Sequence, residues 1–166
     1  MNQCIKILLC AALILNSIPT LTAAEQGDVL PDCQLVSTDN VTRNFKQFQG
    51  KVLYVDFWAS WCGPCAKSFP FLNQLDHDLK DRGLQVIGIN LDENAADAQA
   101  FIAKYPAYFM IATGNNQQCA IDFGVKAMPS SYLVDRKGHI RYSHQGFRAG
   151  EAEELKILVE QLLAER

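Results

Sequence analysis

The stretch VDFWASWCGPC, residues 55–65, decides the fold together with the residues just before it. Lys51–Ala59 contains a run of β-branched and aromatic side chains interrupted by one carboxylate, Asp56, a pattern that predicts a buried strand. Gly-Pro then stands between Cys62 and Cys65, and proline is favoured in the first turn of a helix, where its missing N–H is not needed. The stretch predicts a strand that runs directly into a helix, with two cysteines at the junction.

The rest of the chain alternates between strand and helix patterns. A helix is expected over Pro64–Arg82, bent near Pro70 and ended by Gly83. The other predicted elements are a hairpin of 32–37 and 43–48 joined by turn residues 38–40, a strand at 84–91, a helix at 95–105, a strand at 108–112, a helix at 115–123, a hairpin of 131–135 and 140–145, and an amphipathic helix at 151–165. This order predicts an α/β fold, a three-layer α/β/α sandwich around a mixed central sheet, with an N-terminal hairpin extension.

Composition sets limits on the class of protein. The 166 residues are enough for one domain with a sizeable core, and 49% hydrophobic with 20% charged residues is typical of a globular chain. The net charge is -3, with acidic and basic residues interspersed, so no basic face for nucleic acid is evident. No interface signature stands out either, and a monomer is expected.

Residues 1–24 differ from the rest and predict a secretory signal. Lys6 is the only charged side chain before Glu25, and the apolar run Ile7–Leu15 is shorter than the roughly 18 residues of a membrane span. Small residues at 22–24 provide a cleavage site. Cleavage would leave a soluble domain, 25–166, in the periplasm or otherwise exported. The alternative is an uncleaved segment that tethers the protein to a membrane.

Cys62 and Cys65 are the candidate catalytic pair. Two residues of spacing at a helix start allow a disulfide within one turn, and the unpaired N–H groups and helix dipole there favour a thiolate on Cys62. Cys65, one turn in and more buried, is suited to resolve a mixed disulfide. The alternatives are half of a zinc site or a structural disulfide. A zinc ribbon requires a second CxxC or a paired histidine, which the sequence lacks, so neither a metal nor an organic cofactor is expected.

The motif at 55–65 resembles the thioredoxin signature. The hairpin ending in Gly50-Lys51, the helical segment after 90–92, and VKAMP at 125–129 before the strand at 132–135 narrow the resemblance to the exported TlpA/ResA-type branch. It covers the chain from about residue 27 to the C terminus. The resemblance implies a thioredoxin-like fold and a thiol–disulfide oxidoreductase.

The resemblance also implies a role for Asp56. In the thioredoxin pattern the aspartate at this position lies beneath the second cysteine and accepts its proton, here from Cys65 through water. A carboxylate within an apolar strand is expected to have a raised pKa in any case. The alternative is an aspartate at a strand end that reaches solvent.

Substrate-binding residues are expected on both sides of the cysteines. Pro129 matches the family's cis-proline, which leaves the backbone of Met128 to pair with an incoming peptide. Trp61, partly exposed, is expected to serve as a platform for substrate beside Gly63 and Pro64.

The helix start and Gly-Pro favour a reductase of disulfides in exported proteins, re-reduced by a membrane electron donor. An oxidase or isomerase would use the same residues. A redoxin-type peroxidase requires threonine where Ala59 stands, and a copper metallochaperone on this fold typically has a wider CxxxC and a downstream histidine. Ser68 replaces the glutamate of members that act in cytochrome c maturation, which disfavours that substrate class.

Two further cysteines are left open by the sequence. Cys33 and Cys119 either form a structural disulfide, as an exported protein favours, or are buried as small hydrophobic side chains. His77, His139 and His144 show no spacing typical of metal ligands and are expected at the surface.

Overall fold

The computed structural model describes residues 24–38, 40–113 and 117–165. Its elements are β1 (Gln34–Ser37), β2 (Thr42–Asn44), β3 (Val52–Trp58), α1 (Gly63–Leu79), β4 (Leu84–Asn90), α2 (Ala95–Lys104), β5 (Met110–Thr113), α3 (Gln117–Phe123), β6 (Ser130–Val134), β7 (Ile140–Gln145) and α4 (Ala152–Ala164). Short 3₁₀ helices occupy Phe45–Phe48, Lys80–Arg82 and Ala149–Glu151. Nearly all of the predicted signal, turn residue 39 and the expected start of the helix at 115 lie outside the described residues. No helix in the described ranges is long and apolar enough to cross a membrane.

The strands form one mixed sheet in the order β2-β1-β5-β4-β3-β6-β7. At its centre β3 pairs in parallel with β4, and β4 with β5. The β6–β7 hairpin adds antiparallel strands on one side, and the β1–β2 hairpin adds them on the other through β5. The predicted mixed sheet with an N-terminal hairpin extension is therefore confirmed.

Helices cover both faces of the sheet and complete the three layers. Tyr54 and Trp58 of β3 pack in one core with side chains of α1, α2 and α4. Val55 and Phe57 face the other side, in a core with Cys119 and Phe123 of α3. Alternate residues of β3 thus lie in the two cores, so both faces of the central strand are buried. This agrees with the nearly continuous apolar sequence of the strand.

Two predicted strands are wrong at their ends. Residues 45–48 form a 3₁₀ helix instead of continuing β2, because Phe45 turns into the second core and packs 5.8 Å from the ring of Phe123. The strand expected from 108 begins at Met110, because Tyr108 is 79% exposed and its backbone N–H donates to Asn73 of α1 at 2.7 Å.

Candidate active site

The two cysteines lie where β3 passes into α1. Cys62 is the N-cap residue of α1 in an extended backbone conformation, Pro64 is in the first turn, and the Cys62 sulfur accepts the backbone N–H of Cys65 at 3.2 Å. The two sulfurs form a disulfide, with Cα atoms 5.3 Å apart. The helix terminus therefore holds the Cys62 sulfur within reach of a backbone N–H donor at the positive end of the helix dipole, an environment that favours the thiolate when the bond is reduced.

The two cysteines differ in access. Cys65 is fully buried, whereas Cys62 borders an open groove of about 430 Å³ between the start of α1 and helix α2. Trp61 projects at the mouth of this groove and is 71% exposed, and Ala100 and Lys104 of α2 form part of its wall. Cys62 is itself 4% exposed, against 0% for Cys65, so the edge of its side chain at the groove is the only part of the pair that an incoming disulfide meets in the described structure. The sequence does not predict that α2 lines this groove, because it shows only that α2 is a helix.

The proline loop packs against the same core as the cysteines. The Met128–Pro129 peptide bond is cis, as the resemblance implies, and Pro129 is buried. Met128 is half-buried and packs against the core cluster that contains both cysteines. Gly63 opens α1 beside them, with open space where a side chain would be. The structure thus places Trp61 and Gly63 beside Cys62 and packs Met128 against the core that contains both cysteines, while the roles of these residues stay predictions.

Asp56 is buried in the middle of β3 and is only 1% exposed. The alternative of a strand-end aspartate reaching solvent is therefore wrong. Asp56 shares a sheet face with Tyr54 and Trp58, the face covered by α1 and the two cysteines. Its Oδ1 accepts a hydrogen bond from Ser131 Oγ at 2.7 Å, while Oδ2 has no hydrogen-bond partner among the described residues.

The environment of Asp56 disfavours its charge. Burial raises the pKa of Asp56 to about 7, and the hydrogen bond from Ser131 opposes that rise. Burial, with Asp56 nearby, also raises the pKa of Tyr54, whose hydroxyl donates to Ser131 Oγ at 3.2 Å. Tyr54, Ser131 and Asp56 therefore form a buried hydrogen-bonded chain. Tyr54 and Ser131 were missed because strand register, which joins them, is not visible in the sequence.

A second carboxylate fixes the loop before the cysteines. Asp92 accepts hydrogen bonds from the backbone N–H of Ser60 at 2.9 Å and from its hydroxyl at 2.9 Å. Asn90 donates to the same carboxylate at 2.7 Å. This contact ties the end of β4 to the turn that positions Trp61 and Cys62, and the sequence offered no signal for it.

The remaining cysteines and histidines lie away from the pair. Cys33 and Cys119 form a disulfide with Cα atoms 5.5 Å apart, so the paired alternative is the one observed. The side chains of His77 and His139 are 80% and 42% exposed, as expected. His144 is only 31% exposed and contacts Glu151 at 3.2 Å. In the described ranges, no cluster of three histidine, cysteine or acidic side chains is arranged to hold a metal ion.

Comparison with known proteins finds similarity to one family and to thiol-disulfide oxidoreductases within the sequence range that holds the site. The Redoxin family model matches residues 25–162. The thiol-disulfide oxidoreductase ResA of Bacillus thuringiensis subsp. konkukian is 28% identical over 127 residues, covering 76% of this chain and 73% of ResA. The ResA of Geobacillus thermodenitrificans is 26% identical over 145 residues, covering 85% of this chain and 83% of that protein.

A solved structure is more similar in sequence. A Chlorobium tepidum protein described as a thiol:disulfide interchange protein DsbE is 39% identical, with a TM-score of 0.82, over 86% of this chain and 100% of that one. These similarities confirm the thioredoxin-like fold and the TlpA/ResA-type resemblance.

Proposed function

The chain belongs to the Redoxin family, and on that premise we propose that it is an exported thiol–disulfide oxidoreductase that reduces protein disulfides through Cys62 and Cys65. The observation that carries the proposal is the unequal access of the two cysteines at the N terminus of α1. Cys62 is 4% exposed at the edge of an open groove, whereas Cys65 is 0% exposed and does not line that groove. This arrangement suits one cysteine to attack a substrate and the other to resolve the intermediate.

The reaction proceeds in two displacements. The Cys62 thiolate attacks one sulfur of a substrate disulfide, a mixed disulfide forms, and the other substrate sulfur leaves as a thiolate. Cys65 gives its proton to Asp56 through water and attacks the Cys62 sulfur, so that the Cys62–Cys65 disulfide forms and the second substrate thiolate leaves. Two electrons pass from the cysteine pair to the substrate. A membrane partner must return two electrons before the next cycle.

Substrate is held by the surroundings of Cys62. The backbone of Met128, ahead of the cis peptide bond, pairs with an extended segment of the substrate. Trp61 provides an exposed aromatic surface beside the attacking sulfur. Gly63 and Pro64 leave the approach to that sulfur uncrowded, because nothing lies within 4 Å of the space that a side chain at Gly63 would fill.

Export is the second part of the proposal. Residues 1–24 act as a cleaved signal, and the domain 25–166 works as a monomer in the periplasm or an equivalent oxidising compartment. The Cys33–Cys119 disulfide supports this location, since structural disulfides persist mainly outside the cytosol. Amino-terminal sequencing of the protein recovered from a bacterial host tests it. A mature chain that starts at Ala24 or Glu25 is expected, whereas an intact N terminus in the membrane fraction would mean an anchor.

The direction of the reaction is tested by the reduction potential of the Cys62–Cys65 pair. The domain is equilibrated in defined thiol buffers and followed by tryptophan fluorescence, since Trp58 and Trp61 flank the site. A value near the roughly -270 mV of thioredoxin is expected for a reductase. A value near about -120 mV would mean an oxidant that donates disulfides. The Cys62→Ala variant is the control, and persistence of its insulin-reducing activity would contradict the assignment of the nucleophile.

A further inference from the structure

We propose that Ser131 is a positioning residue for the resolving step: oriented by Tyr54, it holds Asp56 and sets the pH at which Asp56 accepts the proton of Cys65. The inference rests on the proposed role of Asp56 as the proton acceptor. It concerns two residues, Tyr54 and Ser131, that the CxxC motif and the cis-proline loop do not include.

The register of the sheet places Ser131 opposite Asp56. Asp56 of β3 lies directly opposite Ser131 of β6, and Ser131 lies directly opposite His144 of β7. Directly opposed residues on neighbouring strands present their side chains on the same face. Asp56, Ser131 and His144 therefore form a polar row across the face that carries α1 and α4, and Ser131 is its middle member.

The hydroxyl group of Ser131 is hydrogen-bonded to both Tyr54 and Asp56. A serine hydroxyl has one hydrogen to donate and two lone pairs to accept with. Tyr54 donates to Ser131 Oγ at 3.2 Å, so the hydrogen of Ser131 is directed to Asp56 Oδ1, 2.7 Å away. A bond donated to a buried carboxylate stabilises its charged form, and no other hydrogen bond to this carboxyl group is found within the described residues.

The groups that surround Asp56 provide no positive charge among the described residues. Its neighbour on β4 is Gly88, which has no side chain, and the α1 side contributes the two cysteines. Ser131 also lines a cavity of about 240 Å³ whose other titratable lining groups are Tyr142, His144, Glu151 and Glu154. No cation pairs with Asp56 in the described part of the chain, and Ser131 is left as the group that favours its ionisation.

The proton balance follows from this arrangement. When Asp56 is ionised, Ser131 donates to it, and the carboxylate accepts the proton from the Cys65 thiol as the Cys62–Cys65 bond forms. When Asp56 is neutral, its carboxyl group still has an oxygen that can accept from Ser131, and Ser131 still accepts from Tyr54. The site therefore accommodates both protonation states without leaving Ser131 unpaired.

The test compares Ser131→Thr with Ser131→Val. The threonine and valine side chains have the same shape, and a methyl group in valine stands where threonine has its hydroxyl. Reduced protein is mixed with Ellman's reagent, and the second release of thionitrobenzoate reports the attack of Cys65 on the mixed disulfide. In the oxidised protein, ¹³C NMR of the labelled carboxyl group follows the titration of Asp56 directly. The valine variant should raise the Asp56 midpoint by about one pH unit, as expected for loss of a charge-assisted hydrogen bond, while the threonine variant should match the wild type.

The kinetics should follow the same shift. From a midpoint of about 7, a one-unit rise leaves about a tenth of Asp56 ionised at pH 7, so the second release should slow about fivefold in Ser131→Val. The defect should disappear at about pH 9.5, where Asp56 is ionised in both proteins. A merely structural defect would persist at every pH. Tyr54→Phe should shift the midpoint in the same direction by a smaller amount.

Three outcomes separate the possible failures. Equal Asp56 midpoints in the threonine and valine variants would overturn the inference about Ser131. A midpoint that disappears in His144→Gln, but persists in His139→Gln, would assign the pH dependence to His144 and also overturn it. An Asp56→Asn variant that releases the second thionitrobenzoate at the wild-type rate would instead remove the proposed role of Asp56, while the effect of Ser131 on the Asp56 titration would still be measurable in the Ser131 variants.

Discussion

Asp56 makes the protein less stable as the pH rises, and this can be measured apart from catalysis. Its pKa is 3.8 in an ordinary setting and about 7 when folded, so the folded protein binds a proton that the unfolded chain lacks between these values. The free energy of unfolding therefore falls as pH rises through about 4 to 7, by on the order of 4 kcal/mol. Asp56→Asn, whose amide oxygen still accepts from Ser131, should abolish that fall.

The measurement is urea unfolding of the oxidised proteins at pH 4 and pH 8. The asparagine variant should match the wild type at pH 4 and exceed it by a few kcal/mol at pH 8. Asp97→Asn, exposed in the first turn of α2, is the matched control; it removes a charge that favours the helix start, so it should lower the stability at pH 8 by no more than about 1 kcal/mol and should not raise it. If the difference between Asp56→Asn and the wild type is the same at both pH values, the raised pKa is wrong.

At the scale of single residues, the sequence predicts those whose role follows from local spacing. Cys62 and Cys65 are predictable because a CxxC at a strand–helix junction defines its own geometry. Asp56 is predictable as a buried carboxyl because its neighbours along the strand are apolar. Ser131 is not, because its contact with Asp56 depends on the register between β3 and a strand 75 residues further along the chain.

At the scale of elements, the Cys33–Cys119 disulfide joins the segment that enters β1 to helix α3. It closes a loop of 86 residues, and removing such a constraint from the unfolded chain is worth about 4–5 kcal/mol in the chain-entropy model. The Cys33→Ala/Cys119→Ala double variant should therefore lose about 2–5 kcal/mol of stability. The reactivity of Cys62 with Ellman's reagent should stay within about twofold, since the disulfide lies on the opposite face of the sheet from the site.

The control is the Cys62→Ala/Cys65→Ala double variant. Its loop spans 3 residues, so the same model predicts a smaller loss, of about 2 kcal/mol. Guanidinium unfolding measures both variants. Equal losses, or a larger loss for the short loop, would mean that chain entropy is not what makes the Cys33–Cys119 bond stabilising.

Element types were predictable and some element ends were not, for a physical reason. The amphipathic helices have a local periodicity and the central strands are short continuous apolar runs, and the sequence shows both directly. Phe45 and Phe48 are three residues apart, which is the spacing of a 3₁₀ turn and not the alternation of a strand, and the chain forms a 3₁₀ helix with Phe45 packed against Phe123. The pairing of Cys33 with Cys119 also depends on packing between distant elements, so sequence left it open.

At the scale of the whole molecule, the groove between α1 and α2 should matter for the reduction of protein disulfides and not for that of small disulfides. A small disulfide needs only the Cys62 sulfur, whereas a protein must also fit against the wall that α2 provides. Ala100 lies on that wall and is exposed, and Ala103 is exposed on the same helix outside the groove. Arginine is a good helix former, so Ala100→Arg changes the groove and leaves α2 intact.

Ala100→Arg should slow reduction of a folded protein disulfide several-fold while leaving the rate with Ellman's reagent and the reduction potential unchanged. Ala103→Arg adds the same charge and bulk to the same helix and should behave like the wild type in all three assays. Equal slowing by both variants would indicate an effect of charge and not of the groove. Unchanged protein reduction in Ala100→Arg would mean that substrates approach Cys62 only from the Met128–Pro129 side, and α2 would then have no part in recognition.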